Sequence, residues 1–262
     1  MKCIILAAGT GSRMLSMTKD KPKAAVKFLN KSLISYQLEV LEQSGINDIQ
    51  VVTGHCADYF TDMNLSTVYN PFYRYVNMVA SLYCSLCDSI KHEDILICYS
   101  DIIYSREVIR NLVNNRKDSL LSISSDPEWL PLWRLRMNNV IDDAETFNYD
   151  DNLNLTDIGQ KINDLSEVRG QYRGIIFVKS EYIVSLLKII ENEFFAKGKL
   201  NAYMTDLLQF IMQSGEKIKV DLTPGDWLEF DNQTDLAVYE RAQATNMLNS
   251  HMGWLNSLTF SA

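Results

Sequence analysis

KCIILAAGTGSRMLSMTKDKPKAAV occupies residues 2–26, and its reading decides the fold. CIILA is a short, unbroken apolar run, the pattern of a strand buried on both faces of a parallel sheet. The run stops at two alanines and a G-x-G. Gly9 and Gly11 accept positive φ and let a ligand lie against bare backbone. Successive N–H groups in such a turn form a nest for an anion. Arg13, Lys19, Lys21 and Lys23 follow, and an arginine fork can hold two phosphate oxygens at once. Strand, bare turn and cations together suit a polyphosphate. Two familiar phosphate loops do not fit. No G-x-x-x-x-G-K-[ST] is present, and Met14 stands where G-x-G-x-x-G needs its third glycine.

The chain has 262 residues, 47% hydrophobic and 22% charged, which suits one large α/β domain with a real core. Its net charge of −8 argues against a general binder of nucleic acid or membrane surfaces. The basic N-terminal cluster therefore stands against an acidic background. Five cysteines, an odd number with several in apolar runs, read as reduced thiols of a cytoplasmic protein. Cys84 and Cys87 form a CxxC inside the helical stretch SLYCSLCDSI. Without a second pair or nearby histidines, it reads as two buried small hydrophobes rather than a zinc site. No signal peptide is visible, and no apolar run reaches the roughly 20 residues of a membrane span. Oligomeric state is not legible, and a homo-oligomer stays open.

Strand-like and helix-like segments alternate. A helix is expected over 32–45, with Gly45 as its C-cap. Strands are expected over 49–54, 66–70, 94–101 and 119–124, with helices over 77–90 and 105–115. The rhythm breaks between Asp126 and Arg173, where an antiparallel insertion or flap is expected. A strand at 173–178, two helices and a late strand KIKVDL resume it. This pattern predicts a Rossmann-like, doubly wound, mostly parallel sheet with a small antiparallel insertion. Ligands should sit at the carboxyl ends of its strands. One domain spans 1–245, and 246–262 reads as a terminal helix or tail.

LAAGTGSRM followed by KPKA resembles the signature of the sugar-phosphate nucleotidyltransferase superfamily. The phosphocholine cytidylyltransferase branch, with its relatives acting on phosphonates, is the nearest resemblance. VTG at 52–54, YNPFYRYVNMVASL at 69–82, the strand ending at Asp101, PEWLP at 127–131 and WLEFD at 227–231 follow in the right order. The resemblance implies attack of an acceptor phosphate or phosphonate on the α-phosphorus of CTP, with pyrophosphate leaving. It places the nucleotide against Leu6, Ala7, Ala8, Gly9, Gly11, Ser12, Thr53 and Gly54. Arg13 matches the residue that binds the departing pyrophosphate, and Lys23 the lysine that bridges the α-phosphate and the acceptor. Asp101 and Asp231 match two Mg²⁺ ligands, a donor set that suits a hard cation keeping part of its hydration shell. Each aspartate also has a plainer reading as the cap of the helix that follows it. Where many relatives carry an acid two places before the strand-end aspartate, this chain has Tyr99.

The acceptor is the least legible part. Trp129, Trp133, Tyr172, Tyr203, Asp206 and Trp227 are expected around it, with Asp126 as a further carboxylate. Aromatics beside an acid would suit a quaternary ammonium or amine. Trp129 matches an acceptor-site tryptophan of the phosphocholine enzymes, whereas Met204 stands where those enzymes have a second aromatic. Two other functions compete: a sugar-1-phosphate nucleotidyltransferase using UTP, dTTP or GTP, and a non-catalytic nucleotide-binding module. The module would have no need of Lys23.

Overall fold

The computed structural model describes residues 1–88, 93–115, 119–248 and 252–255. β1 (Lys2–Ala7) is buried along its whole length. A loop of 3₁₀ turns follows at Ser12–Thr18, then a small ribbon of β2 (Lys27–Phe28) and β3 (Lys31–Ser32). α1 (Leu33–Gln43) is capped by the Ser32 side chain, which accepts from the Ser35 N–H. Gly45, at φ 75°, takes the left-handed turn just past that helix. β4 (Asp48–Thr53), the short α2 (Asp58–Thr61), β5 (Ser66–Tyr69) and α3 (Met78–Asp88) come next. They are followed by β6 (Ile95–Tyr99), β7 (Ile102–Tyr104), α4 (Arg106–Asn115) and β8 (Leu121–Asp126). The insertion holds α5 (Leu130–Arg136) and an antiparallel hairpin of β9 (Glu145–Tyr149) and β10 (Leu155–Lys161). β11 (Gln171–Val178), α6 (Ile183–Ile189), α7 (Met204–Gln213), β12 (Ile218–Leu222), β13 (Trp227–Glu229) and α8 (Gln233–Ala244) complete the order.

Seven strands form the main sheet in the order β12-β8-β11-β6-β1-β4-β5. β1 is parallel to both neighbours, β4 is parallel to β5, and β12 to β8. β11 alone among these seven runs antiparallel to its two neighbours. The sheet is thus mostly parallel, as its βα rhythm predicted. The chain leaves β1 toward β4 and later returns to β6 on the other side of β1. That reversal opens a crevice at the carboxyl ends of β1 and β6, the place where open α/β sheets bind ligands. The Gly-rich loop leaves β1 there, and Asp101 follows β6. β13 pairs antiparallel with β7, Glu229 opposite Ile102, and the Phe230 N–H donates to the Asp101 carbonyl at 2.9 Å. This pairing carries Asp231 across the sequence to Asp101.

Three local expectations change. In α3 the buried face is Ser81, Leu82, Ser85 and Leu86, anchored by the Ser85 hydroxyl donating to Gln50 at 2.7 Å. Cys84 and Cys87 lie off that face, so Cys84 is half-buried and Cys87 exposed rather than both being core. The first of the two helices expected after the 173–178 strand, over the stretch EYIVSLLKIIENEFF, ends as α6 at Ile189, and a π-helical turn continues it over Ile190–Phe195. In the segment set apart at 246–262, Leu248, Met252 and Leu255 are buried, and Trp254 meets Tyr36 edge-on at 6.5 Å. Where described, that segment packs on the core.

Candidate active site

Two clefts open at the carboxyl end of the sheet and share one wall. The first, about 230 Å³, is lined by Leu6, Gly9, Gly11, Ser12 and Lys23, with Asn77 and Ser100 opposite. The second, about 270 Å³, lies against the insertion and is lined by Trp133, Asp143, Glu145, Tyr172 and Glu229, among others. Arg13, Met78, Asp101, Tyr203 and Asp231 line both. The two carboxylates therefore stand on the wall that the two clefts share.

The Gly-rich loop is built for close approach. A Cβ on Gly9 would meet nothing within 4 Å, so its outer side is open to the cleft. Gly11 sits at φ 61°, and a Cβ there would come within 3.0 Å of the Lys23 Cβ. The missing side chain thus lets the Lys23 stem pass against the loop. Pro22 precedes a single 3₁₀ turn at Lys23–Ala25 that aims Lys23 back at the cleft.

Lys23 Nζ lies 2.7 Å from Asp101 Oδ2 and 3.4 Å from Asp231 Oδ1. Burial alone would lower its pKa, but the two aspartates reverse that and hold it above its ordinary value. Asp231 also forms an ion pair with Arg13 Nη2 at 3.1 Å and accepts from Arg136 Nη2 at 3.5 Å. Burial opposes its ionisation, yet Lys23, Arg13 and Arg136 together hold its carboxyl below the usual range. Glu229 faces the other way. Burial and then the Asp231 charge push it up to about 8, against the pull of Arg136.

Neither aspartate serves as a helix cap. Ser105, before α4, bonds Asp226 instead. α8 is capped by Asn232, and Asp235 accepts from the N–H groups of Asp231 and Asn232. Both Asp101 and Asp231 are thus left facing the cleft. Both lie within ion-pair distance of the same Lys23 ammonium, and their hard oxygen donors are of the type that Mg²⁺ takes. Among the described residues no cluster of three or more His, Cys, Asp or Glu is close enough to hold a metal alone. Two carboxylates with water and phosphate making up the rest match the habit of Mg²⁺.

The remaining expected residues divide. Leu6, Gly9, Gly11 and Ser12 line the first cleft, whereas Ala7, Ala8, Thr53 and Gly54 support it from behind. Thr53 is buried. The bare side of Gly54 is filled by the Ala8 carbonyl and Tyr73 Cβ, each 2.6 Å from where a Cβ would stand. Trp133, Tyr172 and Tyr203 line the second cleft. Trp129 and Trp227 do not: both are buried in an aromatic cluster, 5.7 and 5.8 Å from Trp133. Trp227 is held there by its indole N–H donating to Asp126 at 2.9 Å. Asp126 is itself buried and occupied, accepting also from Gly225 and Glu128. Asp206 is turned to the start of α7, where it accepts from the Tyr203 N–H at 2.7 Å. Met204 is core as well.

Sequence reasoning missed Asp143, Glu145, Glu229 and Arg136. Arg136 is fully buried; it forks onto Asp235 at 3.2 and 3.1 Å and bonds Glu229 at 2.9 Å. Its guanidinium lies 4.6 Å from the Trp133 ring centroid. The E-x-D spacing of Glu229 and Asp231 on an emerging strand was the one available signal, since alternate residues share a face.

A crevice at the strand ends, a bare glycine loop and opposed cations and carboxylates together make the candidate site. The description "MobA-like NTP transferase domain" matches residues 3–152, and the chain belongs to that family of nucleotidyltransferases. It is 32% identical over 252 residues to a CTP:phosphoglutamine cytidylyltransferase of Campylobacter jejuni, covering 91% of this chain and 98% of that one. It is 42% identical over 87 residues to a choline-phosphate cytidylyltransferase of Streptococcus pneumoniae, covering 32% of this chain and 38% of that one. The solved CTP:phosphocholine cytidylyltransferase of S. pneumoniae shares the fold, with a TM-score of 0.71 at 20% identity over 92% of this chain and 98% of that one.

Proposed function

We propose that this enzyme transfers CMP from CTP to a small phosphorylated or phosphonylated alcohol or amine and releases pyrophosphate. The observation that carries the reading is the meeting of two clefts at Lys23, Asp101 and Asp231. One cleft has a bare glycine loop for a triphosphate. The other is walled by aromatic and acidic side chains. The relative named for CTP and phosphoglutamine supports it, because that match runs through nearly the whole of both chains.

The reaction joins two anions, so the protein must neutralise them and hold them in line. A phosphate acceptor is already ionised at neutral pH and needs no base. An acceptor phosphate oxygen attacks the α-phosphorus as the bond to the β-phosphate oxygen breaks. The backbone at Gly9 and Gly11 cradles the phosphates. Lys23 stabilises charge gathering on the α-phosphate, and Arg13 takes the departing pyrophosphate. Asp101 and Asp231 would hold Mg²⁺, which supplies further neutralisation of the phosphate oxygens when bound. Both cations now rest on these carboxylates and would be released to the phosphates.

A panel of CTP, UTP, dTTP, GTP and ATP against phosphocholine, phosphoethanolamine, 2-aminoethylphosphonate and glucose 1-phosphate tests it by pyrophosphate release. The expected result is turnover with CTP and a small acceptor. A preference for another triphosphate, or for the sugar phosphate, would overturn it.

A further inference from the structure

Resting on the function proposed above, we infer that Arg136 is a positioning residue for Asp231. It claims one carboxylate oxygen from behind, so that the other is presented to the cleft as a cation ligand.

The two oxygens of Asp231 have different neighbours. Oδ2 accepts from Arg136 Nη2 at 3.5 Å. Oδ1 lies 3.1 Å from Arg13 Nη2 and 3.4 Å from Lys23 Nζ, and both of these cations line the first cleft. Bound phosphates would draw Arg13 and Lys23 away, whereas Arg136 has no such freedom. Its side chain is wholly buried, and a guanidinium keeps its charge at any working pH. Nε and Nη2 fork onto the two Asp235 oxygens at 3.2 and 3.1 Å, and Nη1 bonds Glu229 at 2.9 Å. The Trp133 ring centroid lies 4.6 Å from the guanidinium. Asp231 thus has one fixed partner behind it and two exchangeable ones in front.

Asp231 is held through its backbone as well. Asp235 Oδ2, the oxygen that Arg136 Nη2 meets, accepts from the Asp231 N–H at 2.8 Å and the Asn232 N–H at 3.1 Å. One guanidinium therefore sets both the main chain and the carboxylate of Asp231. A tie between α5 and α8 alone would not need that reach. The Asp235 fork supplies it, and apolar packing of similar volume often holds such a contact equally well. Lysine could not copy the arrangement, because one ammonium lacks the planar fork that spans three carboxylates. Arg136 also follows Trp133 by one turn of α5, and Trp133 and Glu229 line the second cleft. The orientation of Asp231 thus depends on the insertion that shapes that cleft.

Arg136→Lys keeps the charge and loses the fork, so it separates positioning from charge. Two readouts are followed against Mg²⁺ concentration: pyrophosphate release at saturating CTP with the best acceptor of the panel above, and Tm with Mg²⁺ alone, which rises as the folded chain binds the ion. Replacing an outer partner of a metal ligand costs ~10–100-fold in metal affinity or activity. Half-maximal Mg²⁺ should therefore rise about tenfold or more in both readouts, while the KM for CTP at saturating Mg²⁺ stays near the wild-type value. A role confined to holding α5 against α8 would lower Tm at every Mg²⁺ concentration and leave both midpoints in place. That result, or a wild-type Tm indifferent to Mg²⁺, would overturn the inference and leave the cytidylyltransferase reading standing. Should Arg136→Lys fail to fold, Asp235→Asn carries the same test. It keeps an oxygen for the Asp231 and Asn232 N–H groups and loosens the guanidinium, so its midpoints should rise too, and unchanged ones would overturn the inference. No pyrophosphate release by the wild type with any acceptor would remove the proposed function, and the thermal midpoints would then decide the role of Arg136 alone.

Discussion

Lys23→Ala removes the ammonium that lies 2.7 Å from Asp101 and 3.4 Å from Asp231. Two separate losses follow. Turnover should fall by roughly 10²–10³, the usual cost of one preorganised charge at a reacting centre. Stability should also fall, because the two carboxylates lose the cation between them. Breaking a buried pair costs ~3–5 kcal/mol, while exposed pairs are worth under ~1 kcal/mol. The Lys23, Asp101 and Asp231 side chains are 12%, 21% and 10% exposed, which puts the site between these limits at ~2 kcal/mol. In a chain of this size that corresponds to a fall of ~4–8 °C in Tm. Arg13 and Arg136 stay beside Asp231, so the fold itself should survive. A divalent cation can replace the lost charge, so Mg²⁺ should raise the variant's Tm more than the wild type's. Pyrophosphate release and thermal unfolding, each with and without Mg²⁺, check the two losses separately. Near-normal turnover would refute the role of Lys23 at the phosphates. An equal response of both proteins to Mg²⁺ would refute the reading of Asp101 and Asp231 as one cation site.

Other consequences are checked by simple stability and kinetic measurements. Asp231 has a depressed carboxyl, so the folded chain binds fewer protons there than the unfolded one. Its contribution is present above about pH 4 and is lost as pH falls through the depressed value. Asp231→Asn should therefore flatten the acid limb of the stability profile, and an unchanged limb would contradict the assignment. Gly54→Ala forces a Cβ to 2.6 Å from the Ala8 carbonyl and should cost ~1–3 kcal/mol; unaltered Tm would show that the loop gives way freely. Trp129→Ala should cost ~3–5 kcal/mol as a core truncation, with little change in acceptor KM. A several-fold rise in that KM at unchanged stability would return Trp129 to the acceptor site.

The sequence was most legible where one local stretch carries the geometry. CIILA, Gly9, Gly11, Arg13 and Lys23 lie within one strand and its loop, so their arrangement follows from spacing. The late partners were harder. Asp101 was visible as a strand end, but its meeting with Asp231 depends on β13 pairing with β7. The tryptophans show the limit most clearly. All stand in aromatic-rich segments, and only tertiary packing decides that Trp133 edges the cleft while Trp129 and Trp227 fill the core behind it. Asp206 shows how helix capping and ligand binding ask for the same residue type: its carboxylate accepts from the Tyr203 N–H at the start of α7. Arg136 could not be found from its own neighbourhood, since Asp235 and Glu229 reach it from 99 and 93 residues away. The acidic wall of Asp143 and Glu145 was hidden for a similar reason. It gains meaning only when the insertion folds over the strand ends.

The central claim is that an acceptor phosphate oxygen attacks the α-phosphorus of CTP in this cleft. An acceptor labelled with oxygen-18 in its phosphate, turned over with unlabelled CTP, tests it directly by mass spectrometry of both products. The account predicts the label in the diphosphate bridge of the cytidylylated product and none in the released pyrophosphate. Label in the pyrophosphate, or an unlabelled bridge, would contradict it.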